Sequence, residues 1–126
     1  MSALAVLDLL DRSRQSLIDA QHEESADRRY QIAHLAALRA GAAVLAARSR
    51  PRGRRVRGVI TVWDLIPVLA PELSEWTEVF ARCPARTERR STGPDGTAHR
   101  ITAREADDLI RDAERFLELV AHSLTR

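Results

Sequence analysis

Residues 32–47 carry a single charge, and this apolar run constrains the fold more than any other part of the sequence. The run reads IAHLAALRAGAAVLAA and lies inside a predicted helix over residues 26–49. A helix that is apolar nearly all round is usually buried on more than one side. We therefore expect it at the centre of a bundle or along a dimer interface. The small side chains around Gly41 should let another helix approach closely.

Two amphipathic helices are predicted near the ends of the chain. The first, over residues 3–21, has apolar residues at steps of three and four positions. The last, over residues 102–125, carries a continuous apolar stripe with the 3.6-residue period of a helix. Thr102 and Glu105 form a capping box at its start. Both helices can therefore bury one face against the central helix.

The segments between these helices are less regular. Thr61, with Asp64 three residues later, predicts a helix start and one or two short helices over residues 61–83. Residues 48–60 are rich in Arg and Pro and predict a mobile loop, because a run of like charges repels itself. Residues 84–101 contain several Pro and Gly residues and predict an irregular loop.

The chain length of 126 residues is typical of one domain. Short connections between helices favour antiparallel neighbours. We therefore predict a single all-α domain over residues 1–126, an up-and-down bundle of four to five helices. Aromatic residues make up only 4% of the sequence, so we expect Leu, Ala, Val and Ile to build the core.

Several functional classes are not supported by the residues. Cys83 is the one cysteine, so no disulfide framework and no zinc-ligand spacing is present in the sequence. There is also no Gly-rich phosphate loop and no nucleophile elbow, and we expect neither a metal nor a cofactor. The N-terminal residues lack the features of a signal peptide, and no run approaches ~18 uncharged apolar residues. We expect a cytoplasmic protein that does not enter a membrane.

Two segments resemble HEPN domains. RRYQIAHLAALRAGAAVLAAR is similar to their second helix, and TAREADDLIRDAERFLELVAHSL is similar to their last long helix. The Arg/Pro-rich loop followed by WDLI…APELSEW resembles a compact actinobacterial branch of HEPN, and the resemblance covers about residues 3–124. It implies an up-and-down bundle that is often dimeric. Many HEPN proteins are metal-independent ribonucleases, whereas others are catalytically silent modules of binding or assembly.

The ribonuclease signature of that superfamily is an Arg followed by four to six residues and a His. Arg115 and His122 have this spacing, and both lie on one face of the last predicted helix. His122 would be the general base and Arg115 the cation on the phosphate, with the site completed across a dimer. Phe116 follows Arg115 where active members favour a polar residue. We favour a solvated face in which Arg115 pairs with Glu118.

A second pair with this spacing, Arg29 and His34, lies on the predicted central helix. This is not where the superfamily carries its catalytic pair. His34 shares a helix face with Tyr30 and Leu38, and we interpret it as a core or interface histidine.

Residues 48–60, called the arginine segment below, carry the strongest charge signal. Six arginines fall within ten positions, namely Arg48, Arg50, Arg52, Arg54, Arg55 and Arg57. Guanidinium groups suit phosphates, so the segment predicts salt-dependent binding to RNA or DNA without sequence preference. A solvated linker, or docking on the acidic residues Asp107, Asp108 and Asp112, fits the same charges equally well.

Arg39 is the single charge of the apolar run. A buried Arg needs a compensating partner, because removing the charge from water is costly. We expect the partner to be a carboxylate, with Asp64, Glu72, Glu75 and Asp108 as candidates.

Three functional hypotheses follow. The first is a non-catalytic HEPN-like module that associates with itself and binds RNA or DNA through the arginine segment. The second is a metal-independent HEPN ribonuclease that uses Arg115 and His122 across a homodimer. The third is a regulatory subunit whose arginine segment binds an acidic protein partner.

Overall fold

The computed structural model describes residues 3–48, 61–91 and 100–125. These ranges contain helices and no strand, which confirms the prediction of an all-α bundle. A 3₁₀ turn (Pro71–Leu73) separates the third helix from the fourth. The helices are α1 (Ala3–His22), α2 (Ala26–Arg48), α3 (Val62–Leu69), α4 (Ser74–Ala81), α5 (Cys83–Ser91) and α6 (Ala103–Leu124).

The long helices α1, α2 and α6 set the directions of the bundle. The short connection over residues 23–25 makes α1 and α2 antiparallel. The amide of Ile101, just before α6, donates to Asp27 at the start of α2 over 3.3 Å. At the other end of α2, Arg48 donates to Ser123 at the end of α6 over 2.6 Å. Therefore α2 and α6 run in the same direction, and α1 runs opposite to both.

The fourth leg of the bundle is made of α4 and α5 together. Just before α4, the Glu72 carboxylate accepts a hydrogen bond from Ser123 at the end of α6. In α5, Arg86 bonds to Glu105 at the start of α6. The α4–α5 leg is thus antiparallel to α6, so α1, α2, α4–α5 and α6 alternate in direction. We call the end with Glu72 and Ser123 the upper end and the end with Arg86 and Glu105 the lower end.

The short helix α3 packs along the second half of α2 and runs in the same direction. A Cβ atom added at Gly41 would lie only 2.6 Å from Cγ1 of Val62 at the start of α3. The last residue of α3, Leu69, accepts a hydrogen bond from Arg48 at the end of α2. The close approach predicted at Gly41 is therefore made by α3. The arginine segment joins the end of α2 to the start of α3, which lies beside Gly41, about two turns before the end of α2.

Leu, Ala, Val and Ile make up most of the core, as predicted, and aromatic side chains add a cluster within it. Phe80 of α4 and Phe116 of α6 are fully buried, and their ring centroids are 5.2 Å apart. Trp63 of α3 stacks on Phe80 at 5.0 Å, and Trp76 lies beside both phenylalanines. Aromatic residues are rare in the sequence, but the tertiary fold brings these four rings into one cluster. Aliphatic side chains make up the rest of the core.

The apolar helix α2 is the central helix, as predicted. It contacts α1, α6, α3 and α5. By length and mean hydropathy alone it could cross a membrane, but half of its most apolar window is buried inside the bundle. Such burial is typical of the core helix of a folded domain.

The prediction of an irregular loop over residues 84–101 is wrong for its first part. Residues 84–91 belong to α5, and residues 92–99 lie outside the described residues. Pro84 is the second residue of α5, where a missing amide hydrogen removes no intrahelical bond. The capping boxes of Thr61 with Asp64 and of Thr102 with Glu105 are both present, so those two predictions are confirmed.

Candidate nucleic-acid interface

Arg48, the first residue of the arginine segment, is engaged with the upper end of the bundle. Its guanidinium lies 2.7 Å from the Glu72 carboxylate, donates to Ser123 over 2.6 Å and reaches the Leu69 carbonyl at 3.3 Å. Ser123 in turn donates to Glu72 over 2.8 Å. These groups lower the pKa of Glu72, with the Ser123 hydrogen bond as the largest cause and Arg48 contributing. The start of the segment is thereby tied to α6 and to the residues before α4.

The other five arginines of the segment lie outside the described residues: Arg50, Arg52, Arg54, Arg55 and Arg57. The segment holds no Asp or Glu that could neutralise them. Directly after the segment, Thr61 caps the start of α3, and its hydroxyl accepts from the Asp64 amide at 3.3 Å.

Arg115 and His122 both lie on the solvent-exposed face of α6. The Arg115 guanidinium is 3.5 Å from Glu118, and both side chains are well exposed. The solvated arrangement that we favoured for Arg115 is thus present. Seven helical residues separate the two Cα atoms by about 10 Å along the axis. Within one chain, the pair could contact a single phosphodiester only through extended side chains.

Arg29 and His34 are used by the fold itself. Arg29 donates to the carbonyls of Glu23 and Glu24, and its Nε lies 3.4 Å from Asp107, so it joins the α1–α2 connection to α6. His34 lies with its ring centroid 6.2 Å from that of Trp63.

Burial lowers the pKa of His34, so the imidazole is held in its neutral form. Its Nε2 and the Nε1 of Trp63 are both buried without a hydrogen-bond partner in the part of the chain that the structure describes. The half-buried imidazole against a tryptophan lies at the edge of the core within one chain, and the interface alternative for His34 stays a prediction.

The prediction of a carboxylate partner for Arg39 is wrong. Arg39 donates to the Ser16 hydroxyl over 2.7 Å and approaches the carbonyl of Arg12 at 3.5 Å, both on α1. The side chain is only partly buried, so part of its charge stays hydrated and neutral acceptors are sufficient. Among the candidate carboxylates, Glu72 pairs with Arg48 instead.

Sequence reasoning missed an open groove of about 420 Å³ beside α5 and α6. Tyr30 lines it next to the buried thiol of Cys83, and burial is the main cause that raises the pKa of both groups. Burial also raises the pKa of Asp112, with the neighbouring Asp108 adding to the effect. A thiol that stays protonated is a poor nucleophile, so Cys83 acts here as a small core residue. No spacing in the sequence relates Tyr30 to these residues.

Within residues 3–48, 61–91 and 100–125, no group of three or more His, Cys, Asp or Glu side chains could hold a metal ion.

The fold and these sites define a class of protein, an α-helical bundle module with an arginine-rich connection between its central helix and a short helix packed on it. Residues 20–121 match the SAV_6107-like HEPN family, and this match covers most of the chain. The chain is therefore a member of the HEPN superfamily, which confirms the resemblance seen in α2 and α6. Neither the curated proteins nor the solved structures provide a match.

Proposed function

We propose that this protein is a non-catalytic HEPN module that binds the phosphates of RNA or DNA through the arginine segment. The observation that carries the proposal is how the segment is attached. Arg48 fixes its start to Glu72 and Ser123, and the Thr61 cap begins α3 directly after its end. Five further arginines, with no acidic residue among them, lie between two held points of one bundle.

The position of the acidic residues on α6 argues against docking of the segment on its own chain. Ser123 places the start of the segment at the upper end, whereas Asp107, Asp108 and Asp112 lie at least eleven residues earlier on α6. That is roughly 17 Å or more along the helix axis. Asp107 already lies against Arg29, and Asp108 lies 3.9 Å from Arg111. Two of these three carboxylates therefore already lie beside another arginine, which makes them less available to the segment.

Within one chain, neither Arg–His pair forms a complete ribonuclease site. A general base and a phosphate-binding cation must reach the same phosphodiester. Arg115 and His122 are about 10 Å apart along α6, and Arg115 is turned to Glu118. Arg29 and His34 are engaged in the turn and in the core. A ribonuclease site would need a second protomer to complete it.

The test is binding of labelled single-stranded RNA and duplex DNA to the full chain at low and moderate salt, with each sample then run on a denaturing gel. We expect both nucleic acids to bind, to remain intact, and to dissociate steeply as salt rises. The triple variant Arg54→Ala/Arg55→Ala/Arg57→Ala should reduce the slope of log affinity against log salt by about 3 for duplex DNA and about 2 for single-stranded RNA, since each lost phosphate contact removes about 0.9 or about 0.7 of a unit.

A matched control removes three exposed arginines elsewhere: Arg28→Ala/Arg104→Ala/Arg111→Ala. It lowers the net charge by the same amount and should leave the salt slope nearly unchanged. Equal losses in both variants would indicate a net-charge effect and contradict a local site. Cleavage that disappears in His122→Ala would replace the proposal by a ribonuclease. No binding and no cleavage would also contradict it and would direct attention to an acidic protein partner.

A further inference from the structure

A groove runs between α1 and α6, from the upper end of the bundle past the middle of α1. It has an upper opening of about 390 Å³ and a middle opening of about 230 Å³, and residues of both helices line each of them. Ala47 of α2 also lines the upper opening. We call the two openings together the α1–α6 groove. Most of its lining is apolar and includes Leu7, Leu10, Leu17, Ile18, Leu117 and Leu124.

The α1–α6 groove leaves large apolar side chains in contact with water. Leu7 in the upper opening is 54% exposed, and Ile18 in the middle opening is 49% exposed. Glu114 and Leu124 line its two ends and are ten positions apart on α6, which is roughly 15 Å along the helix axis. Exposed apolar residues that gather around one groove indicate an interaction site. A length of nearly three helical turns suits an amphipathic helix.

The acidic side chain of Glu114 marks the lower end of the groove. It is half-buried, and among the residues that the structure describes it forms no ion pair and no hydrogen bond. The two arginines nearest to it along the groove are turned to other carboxylates. Arg111 lies 3.9 Å from Asp108. The Nε of Arg29 lies 3.4 Å from Asp107. A partly desolvated carboxylate without a cation can therefore gain a charge-assisted bond from a ligand.

We infer that the α1–α6 groove binds an amphipathic helix of a partner protein, with the apolar face of that helix in the groove and a Lys or Arg against Glu114. Burial of the apolar face supplies the affinity, and the charge at Glu114 selects basic over acidic helices. A second copy of this chain fits less well, because Asp11 and Arg14 interrupt the exposed apolar positions of α1. The inference concerns a surface other than the arginine segment and does not depend on nucleic-acid binding.

The test measures binding of two labelled synthetic peptides to the full chain by fluorescence anisotropy. Both peptides are helical and carry Leu at steps of three and four over about three turns. One has Arg at both ends of this apolar stripe and the other has Glu there, so either direction of docking places the charge against Glu114. We expect the Arg peptide to bind at least about tenfold more tightly than the Glu peptide. Glu114→Arg should reverse this preference, because the charges are then exchanged.

The control for charge is Glu78→Arg on the exposed face of α4, which changes the net charge equally and should leave both affinities unchanged. For the apolar contact, Ile18→Ser should weaken binding of the Arg peptide by about tenfold. Leu35→Ser, at a similarly exposed position on α2, should not. Circular dichroism verifies that all variants keep the helical fold.

Binding of neither peptide, or equal binding of both to the wild type, would overturn the inference. Sedimentation equilibrium provides a further check on what occupies the α1–α6 groove. A chain that sediments as a dimer and becomes a monomer on Ile18→Ser would place a second copy in the groove, and this result would overturn the inference as well.

Discussion

An Arg–Glu pair holds each end of the bundle, but the two pairs differ in geometry. At the lower end, Arg86 makes two bonds of 2.8 Å to Glu105 and a third to the Arg100 carbonyl. At the upper end, Arg48 makes one 2.7 Å contact with Glu72. The lower pair is also less exposed than the upper pair. A fork-to-fork pair with little water access is stronger and more specific than a single exposed contact.

The pKa values reflect the same difference. Arg86 is the main cause that lowers the pKa of Glu105 to about 2, and the Thr102 cap adds to it. The pKa of Glu72 is also lowered, chiefly by the Ser123 hydroxyl rather than by Arg48. The lower end is therefore closed by its own side chains. The upper end, where the arginine segment begins, holds its guanidinium through weaker contacts that an anion could replace.

The largest effect is expected from Gly41→Leu. The new side chain would overlap Val62 and force α3 away from α2, at a cost of about 3 kcal/mol. The strain acts on α3, whose Leu69 carbonyl contacts Arg48, and on α4, which follows α3. Amide hydrogen exchange should therefore accelerate more in α3 and α4 than at the start of α6. Urea unfolding measures the loss. Ala42→Leu on the neighbouring, half-exposed position is the control, and an equal loss there would contradict the role of the α2–α3 contact.

Glu105→Gln should have the next largest effect, at the lower end. It removes the ionic part of the Arg86 pair and should cost about 1–2 kcal/mol of unfolding free energy at neutral pH. This cost is smaller than for a fully buried pair because solvent screens the partly exposed charges. The pKa of Glu105 is depressed in the folded state, so its stabilisation is present above pH 4.5 and is lost as the pH falls toward 2. Unfolding curves of the wild type and the variant should converge over that range. A constant difference would exclude the ion pair as the cause.

Glu72→Gln at the upper end should have the smallest effect on stability, about 0.5 kcal/mol, because its pair with Arg48 is exposed. The same change frees Arg48 to join the other arginines of the segment. RNA affinity at low salt should rise, and the salt slope should steepen by up to about one unit. A loss of stability as large as that of Glu105→Gln would show that the Arg48–Glu72 and Arg86–Glu105 pairs are equally strong, and it would contradict the difference between the two ends.

Features that depend on near neighbours in the chain were predictable. The capping boxes at Thr61 and Thr102 join residues three apart, and both are present. The same holds for the contact of Arg115 with Glu118 and for the apolar stripe of α6. The central place of α2 followed from its lack of charge. For the candidate interface, the sequence located the arginines but indicated nothing about what would hold them.

The sequence by itself determined the three long helices, their buried faces and the concentration of arginine in one connection, because helix periodicity and capping act over one or two turns. Tertiary structure decided which distant groups meet. Arg48 reaches Ser123 across 75 positions, and Arg39 takes a hydroxyl on α1 instead of a carboxylate. It also gathered four scattered aromatic rings into one core. Such partners depend on how legs of the bundle align in space, and no local spacing in the chain encodes that alignment.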